Sequence, residues 1–425
     1  MKKYFYFILL VVWASGISAG QLYTWEDCVR AALAGNPELL SSKERIGQSE
    51  AAKGSARAPL LPNINANASA ERRKNYATNN AISRDAYNQY SYGLSGRQLL
   101  FDGLKSVYDL RVANVDIETS VQNYNVTSVS VRFSLKSAYI SLLKAQEMVK
   151  ILEEIQTRRK HVMDLVKIKY DSGSEHRGSW YSSRADFFSA EAAVRSGRRE
   201  VELAKQSLLF IMGFDEEIDF GVEGKIEPVL SYKEKPDFVS IAAKNPLCLK
   251  AAFELRSAEL SMRTAQTAFS PRLSASGSVG RSGNTLDDMP ASWSVGLEVS
   301  APLFQGGETW YSYKRAKSMY NQAFLNDRNV KNETLRKLEE SWNALMNSIE
   351  NVDVQKANLD AVIERSRIGE AQYSIGTLSF DNWTIIENNL SSARRAYLEA
   401  CAEALTSEAR WVNSIGGTLD NEIVQ

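Results

Sequence analysis

Few residues in this chain could do covalent or metal chemistry. Its 425 residues include two histidines, His161 and His176, and three cysteines, Cys28, Cys248 and Cys401. In "DSGSEHRGS" (171–179), Glu175 and His176 stand side by side and could offer two metal ligands. No His, Cys and carboxylate cluster stands at ligand spacing, so the segment reads as a solvent-exposed turn. The cysteines are odd in number and far apart, which is no disulfide framework. They read as buried small residues, with a Cys28–Cys248 bridge as the alternative. No phosphate-cradling glycine loop or nucleophile elbow is present. The arginine-rich "RSGRRE" (195–200) reads as the wet face of a helix. Lys and Arg total 51, as do Asp and Glu, so nothing draws the chain as a whole toward nucleic acid. The expectation is a non-enzyme with no catalytic residue, no metal and no cofactor.

The elements explain more than the reactive residues do. "MKKYFYFILLVVWASGISAG" has two lysines, an apolar run and small residues near Ala19, the layout of a cleaved secretory signal at 1–19. No later run is long and apolar enough for a transmembrane helix. Beyond the signal the chain is written twice. Pro37 matches Pro246 and Pro62 matches Pro271, both at an offset of 209 (246 − 37; 271 − 62). Phe101 and Phe304, Gly103 and Gly306, Tyr170 and Tyr373, Gly173 and Gly376, Trp180 and Trp383, and Gly213 and Gly416 then pair at 203 (304 − 101). The copies are expected at 20–227 and 228–417, each running helix, β-hairpin, long helix and return helix, with a short tail at 418–425.

Within a copy the hydrophobic period changes in a fixed order. Residues 25–58 are Ala-rich and helical in character, and a proline stops them. "PNINANASAERR" and "YSYGLSGRQLLF" alternate with period two around a polar loop at 72–89; "PRLSASGSVGR" and "SWSVGLEVSAPLF" repeat the pattern. Such strands of ~10–12 residues reach across a bilayer when tilted. Between Gly103 and Gly173 there is neither proline nor glycine, and Val129, Phe133, Ile140, Leu143, Ile151 and Ile155 mark one helix face. At 1.5 Å per residue this is a rod of roughly 100 Å, and Gly306 to Gly376 gives another. The return helix, about 180–212, keeps heptads: Phe187, Val194, Val201 and Leu208, with Ala190, Gly197, Ala204 and Ile211 as a small-residue seam. Two short helices stacked end to end are expected to cover each long one. Four strands cannot close a barrel, and open edges are not tolerated in lipid, so strands in a membrane require several chains. Pro62, Pro271, Phe101, Gly103, Phe304 and Gly306 mark the crossings between helix and strand.

These residues resemble the outer membrane efflux proteins related to TolC. The likeness rests on the duplicated "NP", Pro62 and Pro271, "LLFDG" and "PLFQGG", "YDSG" and "YSIGTLSFDNW", and the closing "IMGF" and "SIGG". The resemblance implies a mainly α protein with a membrane β part: a homotrimer with a twelve-stranded barrel in outer-membrane lipid and an α-helical barrel across the periplasm. It implies docking to an inner-membrane pump through a periplasmic adaptor protein, with the turns at Gly173, Gly376 and Thr377 facing the adaptor. It also implies an acidic periplasmic aperture after the second turn. The family's usual acidic position holds Asn382, with Asp381 one residue earlier; a solvated or helix-capping role for Asp381 is the alternative. Trp180 and Trp383 either pack the closed tip or fill a coiled-coil layer. The rival reading is an exported coiled-coil tether whose hairpins stay in water.

Overall fold

A computed structural model describes residues 21–74, 86–214, 218–227 and 234–422. The expected signal at 1–19 and residues 75–85 of the expected polar loop lie outside the described residues. Element order repeats along the chain. The first series is β1 (Gln21–Tyr23), α1 (Trp25–Gly35), α2 (Pro37–Arg57), β2 (Asn63–Arg73), β3 (Tyr87–Phe101), α3 (Lys105–Asp171) and α4 (Arg177–Met212). After β4 (Phe220–Val222), the second is α5 (Phe238–Lys244), α6 (Pro246–Thr267), β5 (Arg272–Gly283), β6 (Ala291–Ser300), α7 (Glu308–Ser374) and α8 (Phe380–Ile415). α3 and α7 each have 67 residues, and α4 and α8 each have 36. Among the described residues no helix is long and apolar enough to cross a membrane.

The described residues fall into two compact units. One lies within Met1–Leu40, Thr127–Phe238 and Lys337–Gln425, the other within Ser41–Val126 and Val239–Arg336. Each unit draws on both halves of the sequence.

In the first unit the helix expected over 25–58 breaks at Asn36. Pro37 disfavours helical backbone at the residue before it, and Asn36 is extended at ψ 118°. Its side chain then holds the junction, accepting from Leu39 N at 2.9 Å and donating to Ile211 O at 2.8 Å. Here α4 ends against the end of α1. Gly213 adopts φ +82°, and an added Cβ would lie 2.1 Å from Gly35 O, so no larger residue fits this end-to-end contact. α1 also flanks α3, with Lys136 Nζ 4.2 Å from the Trp25 ring centre. The described part of the tail returns to the same place. Glu422 accepts from Trp25 Nε1 at 2.7 Å and from Arg132 Nε at 2.7 Å. The apolar face of α3 is broader than the single stripe expected. Leu135, Leu142, Leu152 and Val166 are buried alongside Ile140, Leu143 and Ile155, because helices lie against more than one side of it.

In the second unit the sheet order is β2-β3-β5-β6, antiparallel throughout, leaving β2 and β6 as edges. Strand ends differ from the sequence reading in both hairpins. Residues 72–73 and 87–89, expected in the loop, belong to β2 and β3. β6, expected to run to Phe304, stops at Ser300. Pro302 has no N–H to give the ladder, whereas β3, with "QLLF" at this place, stays paired to Phe101. All three cysteines are free and buried.

Candidate functional site

The two helix–helix turns share one backbone design. At the first, Gly173 (φ +76°) ends α3, and Ser174 N and Glu175 N both donate to Lys169 O. At the second, Gly376 (φ +81°) ends α7, and Thr377 N and Leu378 N both donate to Gln372 O. These bonds satisfy carbonyls left open at a helix C-terminus, and the left-handed φ favours glycine. The return helices start equivalently. His176 Nδ1 accepts from Ser179 N at 3.1 Å, and Ser379 Oγ accepts from Asn382 N at 3.4 Å. Asp381 is therefore not the cap. It is exposed in the first turn of α8, where the helix dipole favours an anion, and Asn382 is exposed beside it.

The tryptophans differ. Trp383 is 1% exposed and stacked on Tyr373, with ring centres 4.3 Å apart, in a cluster with Val162, Val166 and Phe380. Its indole Nε1 is buried without a hydrogen-bond partner among the described residues. Trp180 is half-buried, stacks on Tyr170 at 5.7 Å, and packs on the outside of that cluster.

Two polar connections escape a reading by motif. Tyr373 donates its hydroxyl to Glu175 Oε2 at 3.1 Å, tying α7 to the first turn, and Lys169 Nζ donates to Tyr373 O at 2.5 Å. Burial and the neighbouring Glu175 carboxylate push the Tyr373 phenol up. Further along, Glu387 is 3% exposed and accepts from Arg158 through both oxygens, at 2.9 and 2.8 Å. Ser366 Oγ donates to the same carboxylate at 2.6 Å, so one charge joins α3, α7 and α8. Burial raises the Glu387 pKa, but the bonds from Arg158 and Ser366 outweigh it and hold it below the usual carboxylate range. Periodicity held a signal for this pair. Arg158 falls on the face of Ile155 and Val162, at steps of 3 and 4 (158 − 155; 162 − 158), and Glu387 lies one turn before Leu390.

At the crossings Pro62 and Pro271 each directly precede a strand. Gly103 (φ +71°) is tight, for a Cβ there would meet Ser270 Cβ at 2.4 Å; Gly306 (φ +61°) has nothing near. Asp102 caps α3 by accepting from Ser106 N at 2.9 Å. Phe101 ends β3, but Phe304 lies beyond β6 and is exposed.

Register sorts the sheet into two chemically distinct faces. Ile64, Ala66 and Ala68 of β2 align with Gly96, Leu94 and Tyr92 of β3, and these with Gly277, Val279 and Arg281 of β5. Val295, Trp293 and Ala291 of β6 complete the rows. Trp293 is 79% exposed and Leu297 73%, so this apolar face has no cover among the described residues. The opposite face carries Asn63, Asn65, Asn67, Ser95, Ser276, Ser278 and Ser294, with Arg97 and Glu298 paired at 3.9 Å. Phe269, Phe304, Trp310 and Tyr311 are exposed near the strands' helix ends. An apolar band with aromatic flanks and a polar reverse face has the chemistry of a membrane-barrel wall.

The sequence profile of the outer membrane efflux protein family matches residues 28–214 and 239–417. The chain belongs to this family. The outer membrane efflux protein BepC of Brucella suis biovar 1 is 19% identical over 397 residues, covering 90% of this chain and 82% of BepC. The alkaline protease secretion protein AprF of Pseudomonas aeruginosa is 24% identical over 348 residues, 79% of this chain and 71% of AprF. The CmeC outer membrane channel of Campylobacter jejuni superposes with a TM-score of 0.82 at 20% identity, covering 94% of this chain and 88% of CmeC. As an outer membrane efflux protein the chain is a transport duct of the outer membrane and not an enzyme.

Proposed function

We propose that three copies of this chain form a passive exit duct, driven by an inner-membrane pump through a periplasmic adaptor. The observation that carries this reading is the sheet: one face is mostly apolar and exposed from Ile64 and Val295 to Trp293, and both edges are unpaired among the described residues. Each unsatisfied backbone group in hydrocarbon costs several kcal/mol, so strands in lipid must close into a barrel. Three four-stranded shares give twelve strands, an even number above the bacterial minimum of eight. The polar face then lines the bore. A soluble tether has no use for an uncovered apolar face ending in aromatic flanks.

On this reading the sequence copies at 20–227 and 228–417 supply equivalent wall segments behind a cleaved leader at 1–19. The turns at Gly173, Gly376 and Thr377 meet the adaptor. Asp381 and Asn382, exposed at the start of α8, form the aperture, and Trp383 and Trp180 support it from behind. The test is single-channel recording of purified protein in planar bilayers, with oligomer mass measured in mild detergent. A trimer whose conductance rises when Asp381 and Asn382 are replaced by alanine is expected. A monomer, or a trimer that inserts and never conducts even with those replacements, overturns the reading.

A further inference from the structure

The apolar face of the sheet carries two charged residues among its described strand positions, and both are cationic. Alternation from Ile64 through Ala66, Ala68 and Ala70 places Arg72 on this face, opposite Asn88 of β3. Arg281 aligns with Tyr92, in the row of Ala68 and Ala291. Both are exposed, and both lie at the end of the sheet away from the helices. The acids of the four strands, Glu71 and Glu298, are on the other face, where each is held by an arginine, Arg73 at 2.5 Å and Arg97 at 3.9 Å. Arg72 and Arg281 make no ion pair among the described residues. Arg281 lies level with Tyr92 and one row beyond Trp293, and Arg72 lies one row beyond Tyr90.

An arginine facing hydrocarbon is destabilising at mid-bilayer and nearly neutral at the interface, where its fork matches phosphate oxygens in bidentate fashion. Placing both cations at one end, without acids and behind aromatic rings, complements an anionic headgroup layer. We propose that Arg72 and Arg281, with Tyr92 beside Arg281 and Trp293 one row beneath it, bind the phosphate groups of lipid in the leaflet facing away from the helices. This rests on the bilayer placement of the sheet and names the lipid chemistry that its rim selects.

The test uses the purified full chain in phosphatidylcholine vesicles containing a minor fraction of spin-labelled diphosphoryl lipid A. Wild type is expected to enrich the phosphorylated lipid in its boundary shell over spin-labelled phosphatidylcholine. Enrichment should fall about fivefold for each arginine removed in R72Q and R281Q, and return only in part in R72K/R281K, which restores the charge without the fork. Arg97→Gln, on the opposite face, should leave it unchanged. Equal enrichment in wild type and R72Q/R281Q overturns the site while leaving the barrel intact, as does displacement of the lipid by inorganic phosphate at matched concentration. Protein that fails to float with the vesicles overturns the bilayer placement, and this site with it.

Discussion

The first and second helix–helix turns have one backbone and two interiors. Both end a 67-residue helix with a left-handed glycine and start a 36-residue helix on a side-chain cap. The second is sealed. Phe380, Trp383, Ile386, Glu387 and Leu390 follow one another into the core along α8. The first is open. α4 buries Ser179 and Ser183 near its start, while Tyr181 and Phe188 stay exposed. Duplication preserved the hydrogen-bonded frame, which is set by backbone geometry. The side chains diverged, so that the first copy leans on a core built mainly by the second.

The sharpest way to break this contrast is to empty each tryptophan site. Trp383→Ala should cost about 4 kcal/mol, the middle of the range for a buried aromatic, and Trp180→Ala about 1–2 kcal/mol because part of its ring remains wet. Denaturation followed by circular dichroism should rank them in that order. Limited proteolysis of Trp383→Ala should cut near both turns, since Trp180 rests on the same cluster.

Arg158→Ala should cost about 3 kcal/mol by leaving Glu387 buried without its counter-charge, while joint replacement of both by methionine should be far milder. A shift in denaturant midpoint for the single variant larger than for the double one checks this. If the two shifts are equal, the pair contributes packing and not charge compensation.

The same carboxylate predicts a pH effect of known sign. Its folded pKa lies below the unfolded value, so its contribution is complete above the ordinary glutamate range and is lost as pH falls through the lower folded pKa. Acid titration of stability should show wild type losing an increment below about pH 4 that Glu387→Gln lacks.

The smallest effect tests the shared frame. Gly173→Ala and Gly376→Ala each place a Cβ in open space, so only the left-handed φ opposes them, and each should cost about 1 kcal/mol. Unequal costs would show that the two frames are not equivalent. Gly213→Ala offers a contrast, because its Cβ would strike Gly35 backbone and a much larger loss is expected.

Much of this was written locally. Proline-free stretches, the heptads of α4 and the offset of 203 reported long helices, turns and duplication, because periodicity and glycine placement act within a few residues. The strand face followed from alternation alone. The break at Asn36 was also local, a consequence of Pro37, but Ala-rich composition on both sides concealed it. The early end of β6 was legible in Pro302 and concealed by the likeness of "APLF" to "QLLF". The candidate aperture was legible in position only: Asp381 and Asn382 follow the second turn, and their exposure needed coordinates.

What the sequence determined by itself is the order and length of elements, the two faces of each strand and the glycines that turn the chain. Those depend on backbone sterics and on a period of two or of about 3.6. What tertiary structure decided is which partners meet: Glu387 with Arg158, Tyr373 with Glu175, and Trp383 rather than Trp180 in the core. Each joins residues about two hundred positions apart, and the energy of a buried charge or ring is fixed by neighbours that local pattern does not name.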